Sequence, residues 1–213
     1  MVRPREFDEA EVADRALLCF WKQGFQATAI SELVEATGIQ RQSLYNTFLD
    51  KRGLFLRALA RYHQRVGEGL EVLAGPSAGL RELQAYLQGV IEMQRGLGVG
   101  ACLMVQTAFS PAHEDPEIRQ AVEQSADRVR QRLQEVLRAE LTRKALRPEV
   151  DPAAAAAYLY AVLNGASALV RTGAPDQASA AIELAIHSLS AQPRSTPPRA
   201  RSRSTRRGTR GAR

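Results

Sequence analysis

Apolar residues return along this chain at spacings of three and four: Ala13, Ala16, Leu17 and Phe20 in one stretch, Leu54, Ala58, Leu59 and Tyr62 in another. That is the period of a helix with one face turned inward, and the alternation expected of strands is scarce. Stop signals divide the pattern at Gly24, Thr37-Gly38, Leu49-Asp50, Gly75-Pro76, Gly96 to Gly100, Ser110-Pro111, Arg147-Pro148 and Gly173 to Pro175. The fold class expected is all-α, with about nine helices. Three short helices occupy residues 8 to 48, and longer ones follow at 50 to 74, 78 to 95, 101 to 109, 115 to 145, 152 to 171 and 176 to 190.

Residues 152 to 170, PAAAAAYLYAVLNGASALV, carry no charge and approach the length of a membrane span. Alanine dominates the segment, and Asn164, Gly165 and Ser167 interrupt it, so insertion into lipid would be weakly driven. A buried helix is the reading its composition favours. Small residues also let helices approach closely, which suits a bundle shared between two subunits.

The stretch TGIQRQSLYNTFLDKRGLF, residues 37 to 55, sets many hydrogen-bonding side chains between apolar anchors. Thr28 can cap a helix of about two turns, and Gly38 supplies the left-handed residue that ends it. A second short helix begins at Gln40 or Arg41 and closes near Phe48. Leu44 and Phe48 face inward with Ile39 at the turn, leaving Arg41, Gln42, Ser43, Tyr45, Asn46 and Thr47 outside. Two short helices joined by a glycine turn make a helix-turn-helix, and the second has the dimensions to enter a major groove. Arg41 suits a guanine edge or a phosphate, Gln42 suits adenine, Ser43 suits a base or the backbone, and Tyr45 suits a phosphate. Lys51, at the start of the next helix, would meet a phosphate together with the amides of that helix end.

Residues 8 to 57 resemble the DNA-binding domain of the TetR/AcrR family of transcriptional regulators. The resemblance is carried by Gly24-Phe25, Thr28, Ile30, Leu33, Ala36, Gly38, Leu44, Tyr45, Phe48, Lys51 and Leu54, about a quarter of the chain. Gln40 stands where a capping Ser or Thr is usual, which weakens the cap, and Thr47 stands where His is frequent, which removes a possible phosphate contact. A looser resemblance links GACLMVQTAFSPAHEDPEIRQAV and DPAAAAAYLYAVLNGASALVRTG to the ligand-binding half of one branch of that family. The family implies a homodimer formed by the last two long helices, bound to a double-stranded palindromic operator and released as a repressor by a small-molecule effector. The DNA-binding residues expected are Thr28, Arg41, Gln42, Ser43, Tyr45, Asn46, Thr47 and Lys51. The divisions expected are a helix-turn-helix domain at 1–57, a helical ligand-binding and dimerisation domain at 58–192 and a disordered basic tail at 193–213.

Charge changes this picture only by its location. The chain has a net charge of +6, but residues 193 to 213 hold eight arginines and no acid, which leaves 6 − 8 = −2 for residues 1 to 192. DNA binding by the body must therefore rest on local arrangement. The arginine-rich tail has no apolar side chain larger than alanine and is expected to be disordered. It also supports a second reading, a helical adaptor that binds nucleic acid without sequence preference.

The remaining chemistry excludes more than it adds. The first twenty residues carry five acids and no signal-like apolar block, so a cytoplasmic protein without a membrane partner is expected. Cys19 and Cys102 form no disulfide framework, and Cys102, after a glycine-rich turn and near Arg95, is a candidate sensor thiol as well as a buried filler. His63, His113 and His187 have no ligand-type neighbour at helical spacing, so neither metal nor cofactor is expected. No nucleophile elbow, P-loop or dinucleotide fingerprint suggests an enzyme. Tyr62, Tyr86, Met93, Cys102, Met104, Gln106, Phe109 and Asn164 are the candidate cavity residues, aromatic, soft and amide groups on helices expected to surround a ligand.

Overall fold

The computed structural model describes residues 7 to 191, so the expectation of a disordered tail lies outside the described residues. Among the described residues nine α-helices follow one another: α1 (Glu9–Gln23), α2 (Ile30–Thr37), α3 (Arg41–Phe48), α4 (Lys51–Leu70), α5 (Leu80–Leu97), α6 (Leu103–Ala108), α7 (Pro116–Thr142), α8 (Pro152–Arg171) and α9 (Pro175–Leu189). The all-α class and the helix order agree with the sequence pattern. Short 3-10 turns at Glu71–Leu73 and Pro111–Glu114 complete the path.

Local chemistry accounts for most helix starts. Asp8, Asp50, Asp115 and Asp151 each accept a backbone N–H from the first turn that follows them. Proline then opens α7, α8 and α9, where its missing N–H costs nothing. The cap of α2 differs from expectation. Ala29 is its N-cap, and the Glu32 carboxylate accepts the Ala29 N–H at 2.6 Å. Thr28 instead donates its hydroxyl back to the Gly24 carbonyl at 2.7 Å, closing the turn after α1. Gly38 ends α2 at φ 73°, and Arg15 of α1 donates to the Thr37 carbonyl at 3.3 Å, a cation on the negative helix end.

Two apolar clusters organise the chain. The first gathers Leu17, Phe20, Leu33, Leu44, Phe48, Leu54 and Phe55 from α1 to α4 and extends to Leu103, Met104, Ile118 and Val122 on α6 and α7. Phe20 meets Phe55 edge-on at 4.9 Å, and Trp21 meets Tyr62 edge-on at 5.0 Å. The second cluster packs Leu83, Leu87 and Ile91 of α5 against Leu133 and Leu137 of α7, Leu159 of α8 and Ile182 of α9. The division expected at residue 57 falls inside α4, which runs unbroken from one cluster to the other.

Helix α8 is long and apolar enough to cross a membrane by length and composition. Its face of Ala155, Ala156, Leu159, Leu163 and Ala166 is buried among neighbouring helices, while Ala154, Ala157, Tyr158, Ala161, Gly165 and Ala168 stand exposed. At the far end the chain is pinned to itself. Ala191 donates to the Ala145 carbonyl at 2.7 Å, and Arg147 donates to the Leu189 carbonyl at 3.1 Å.

Candidate nucleic-acid interface and the adjoining cavity

Helix α3 has eight residues, which at about 1.5 Å of rise each give a rod roughly 12 Å long. Leu44 and Phe48 are buried and fix it to the first cluster, with Ile39 buried at the turn. Arg41, Gln42 and Asn46 are exposed, and Ser43, Tyr45 and Thr47 are half-buried. The outer face is organised by pairs one turn apart. Gln42 Nε2 donates to Asn46 Oδ1 at 3.1 Å, and the Arg41 guanidinium lies 5.7 Å from the centre of the Tyr45 ring. Gln40 caps α3 without a side-chain hydrogen bond, consistent with the weak cap its residue type implies.

Two residues expected at DNA are placed differently. Thr28 is fully buried and its hydroxyl is engaged, so its side chain offers no surface to a phosphate. Lys51 Nζ donates to the Gln26 carbonyl at 3.2 Å and lies 4.8 Å from the centre of the Phe25 ring. Burial lowers the pKa of this ammonium below the ordinary lysine value. Lys51 thus tethers the turn after α1 to the start of α4 while standing one residue beyond the cap of α4.

The junction between α3 and α4 is tight. Leu49 sits at φ 69°, ψ −54°, and Asp50 donates to the Phe48 carbonyl at 2.9 Å, the two-residue closure of a γ-turn that is rare and strained for a leucine. A Cβ on Gly53 would lie 2.0 Å from the Phe48 carbonyl oxygen. Sequence reasoning did not single out Gly53. The available signal was a glycine in the first turn of a long helix, a residue that weakens a helix unless close packing requires it.

Beside this unit lies a cavity of about 670 Å³. Of the residues anticipated from the sequence, Tyr62, Tyr86, Met93, Cys102, Met104 and Asn164 line it. Gln106 and Phe109 do not: Gln106 lies toward Gly24, and Phe109 is 89% exposed at the end of α6, with no core to fill. Sequence reasoning missed Trp21, Gln94 and Tyr160 in the lining. The Trp21 indole N–H donates to the Ala101 carbonyl at 2.6 Å, which ties α1 to the loop before α6. Tyr62 donates its hydroxyl to Cys102 Sγ at 3.1 Å. Burial pushes the Tyr62 phenol well above its usual range and Tyr86 up to about 12, so both stay neutral. Arg95, the cation near Cys102 in sequence, is exposed and pairs with Glu92 at 3.7 Å.

The fold and parts of the sequence are similar to those of known proteins. Residues 12–58 match the family described as bacterial regulatory proteins, tetR family, and residues 79–186 match the tetracyclin repressor-like C-terminal domain. An uncharacterized HTH-type transcriptional regulator of Bacillus subtilis (strain 168), YezE, is 32% identical over 130 residues, 59% of this chain and 66% of that protein, just under two thirds. The HTH-type transcriptional repressor ComR of Escherichia coli (strain K12) is 27% identical over 175 residues, 81% of this chain and 83% of that protein. Among solved structures, a cysteine mutant of the TetR family regulator CifR complexed with 26bp double-strand operator DNA superposes with a TM-score of 0.74 at 28% identity. That superposition covers 87% of this chain and 98% of that one.

Proposed function

This chain belongs to the TetR family of DNA-binding transcriptional regulators, and from that premise we propose that it is a cytoplasmic repressor that binds a palindromic operator as a homodimer and is released by a small molecule held in its cavity. The observation that carries the reading is the outer face of α3. Arg41, Gln42 and Asn46 are exposed on a helix short enough for a major groove, and Leu44 and Phe48 anchor that helix on its inner side. Phosphate contacts position such a helix, and its base-edge contacts give the specificity.

Dimerisation follows from how little one such helix can read. A single recognition helix contacts too few base pairs to find one site in a genome, and two copies about one DNA turn apart solve this. Helix α8 supports the pairing, because its exposed side is an uncharged stripe of alanines and Gly165 with Tyr158 among them, and Leu184 on α9 is 68% exposed. Selection of bound fragments from a random DNA library tests the whole reading. An inverted repeat with half-sites about one turn apart is expected. Binding without a consensus would favour the adaptor reading, in which the arginine-rich tail does the binding.

A further inference from the structure

The lining of the cavity defines what it can hold. Trp21, Tyr62, Tyr86 and Tyr160 supply ring faces and edges, and Met93 and Met104 supply polarizable thioethers, surroundings that favour a flat ring system. Both charged residues in the lining are engaged in ion pairs, Arg65 sharing the Asp14 carboxylate with Arg61. Arg65 pairs with Asp14 at 3.2 Å, and Glu82 pairs with Arg81 at 2.8 Å while accepting the Gly79 N–H at 3.1 Å. The burial that keeps Tyr62 and Tyr86 neutral would equally penalise a carboxylate brought in by a ligand.

Two polar groups are poorly served without a ligand. Gln94 is 1% exposed, and its Oε1 has no hydrogen-bond partner in the protein. Tyr62 directs its hydroxyl proton at a thiol sulfur, a weak acceptor. A buried amide left unpaired is costly and calls for an explanation in a native protein. A hydroxyl group both donates and accepts, so it satisfies either end of the Gln94 amide.

We propose that the cavity takes an uncharged, ring-containing molecule that carries a hydroxyl group, and that Gln94 is the residue that selects for the hydroxyl. This rests on the reading of the cavity as the effector site. It adds a chemical class and a specificity-determining residue. The lining excludes carboxylate ligands of the same shape, and purely apolar ones bind more weakly because they leave Gln94 unpaired.

Calorimetric titration of the full chain with 4-hydroxybiphenyl, 4-methylbiphenyl and biphenyl-4-carboxylate tests it, because the probes share a shape and differ in one group. In the unmodified protein the hydroxyl probe is expected to bind about tenfold more tightly than the methyl probe, the discrimination of one buried hydrogen bond, with the carboxylate weakest. In Gln94→Leu and Gln94→Met, each checked for folding by thermal melting, that preference should disappear while the methyl probe binds as well or better. Absence of binding by the hydroxyl probe, tightest binding by the carboxylate, or an unchanged preference in both variants would overturn the proposal. Operator release is read separately in the same samples. Binding that follows the hydroxyl rule without DNA release sinks the effector reading and leaves the ligand class standing.

Discussion

Arg52 and Asp115 join the first turn of α4 to the start of α7 through two parallel hydrogen bonds, Nε to Oδ2 at 2.5 Å and Nη2 to Oδ1 at 2.9 Å. The same carboxylate caps α7 by accepting the N–H groups of Glu117 and Ile118, so one side chain anchors both helices. Arg52 also reaches Glu117 at 3.0 Å. Because α4 begins three residues after α3 ends, this ion pair connects the α3–α4 junction to α7, which with α4 borders the cavity. On the other side of α4, Arg61 and Arg65 both reach Asp14 of α1, at 2.7 and 3.2 Å.

The Arg52 pair gives the fold an acid-sensitive joint. The hydrogen bonds from Arg52 come first among the causes that hold Asp115 down to about 2, from an ordinary value of 3.8. A depressed carboxylate contributes its stability above the unfolded value and loses it as the pH falls through the folded one. Asp115→Asn keeps a competent cap and loses the charge. Its melting temperature is therefore expected to lie below that of the unmodified chain at pH 5 to 7, with the gap closing as the pH drops from 3.8 toward about 2. A gap that stays constant in circular-dichroism melts across that range would mean that the ionised carboxylate contributes nothing.

Gly53 tests the junction between α3 and α4. With its Cβ position 2.0 Å from the Phe48 carbonyl, Gly53→Ala forces α3 away from α4, at a cost of roughly 1–3 kcal/mol of overpacking. Urea denaturation should show that loss, and gel-shift titration should show weakened operator binding. Binding and stability equal to those of the unmodified chain would mean that the junction relaxes freely.

Base reading is assigned by single substitutions on α3 and at the first residue of α4. Gln42→Ala is expected to relax preference at one position in each half-site by about 1–3 kcal/mol. Tyr45→Ala and Lys51→Ala should instead weaken all sites alike, Lys51 partly by freeing the turn it holds at Gln26. Affinity profiling over single-base operator variants separates the two behaviours. Three folded variants with unchanged profiles would remove α3 from the interface.

The dimer face is tested at Ala161 and Gly165, both exposed on α8, Gly165 with no atom near its Cβ position. An arginine fits the isolated subunit at either place but is buried unpaired in a dimer closed over this stripe. Ala161→Arg and Gly165→Arg should give folded monomers in light scattering. A dimer that persists in both variants would locate the interface elsewhere.

Removal of residues 193 to 213 tests the eight arginines there. Each phosphate they neutralise adds about 0.9 to the slope of log affinity against log salt. The truncated chain should bind operator and random DNA more weakly by similar factors, with a flatter slope and the same consensus. Equal slopes would make the tail idle.

The helix boundaries, the all-α class and the polar face of α3 are legible in the sequence because their causes are local. Asp115-Pro116 and Asp151-Pro152 start α7 and α8, Gly38 ends α2 through its own left-handed backbone, and Leu44 and Phe48 share a face by the helical period alone. What escapes the sequence depends on a second element. Thr28 reads as a cap until the Gly24 carbonyl claims its hydroxyl, and Phe109 reads as cavity lining until the chain turns it to solvent. Trp21 and Gln94 have the spacing of ordinary buried positions, and nothing in that spacing distinguishes a packed neighbour from an empty volume between helices. Only tertiary packing decides that, because a cavity is defined by where separate helices fail to meet, and this depends on their relative placement and not on the period of any one of them.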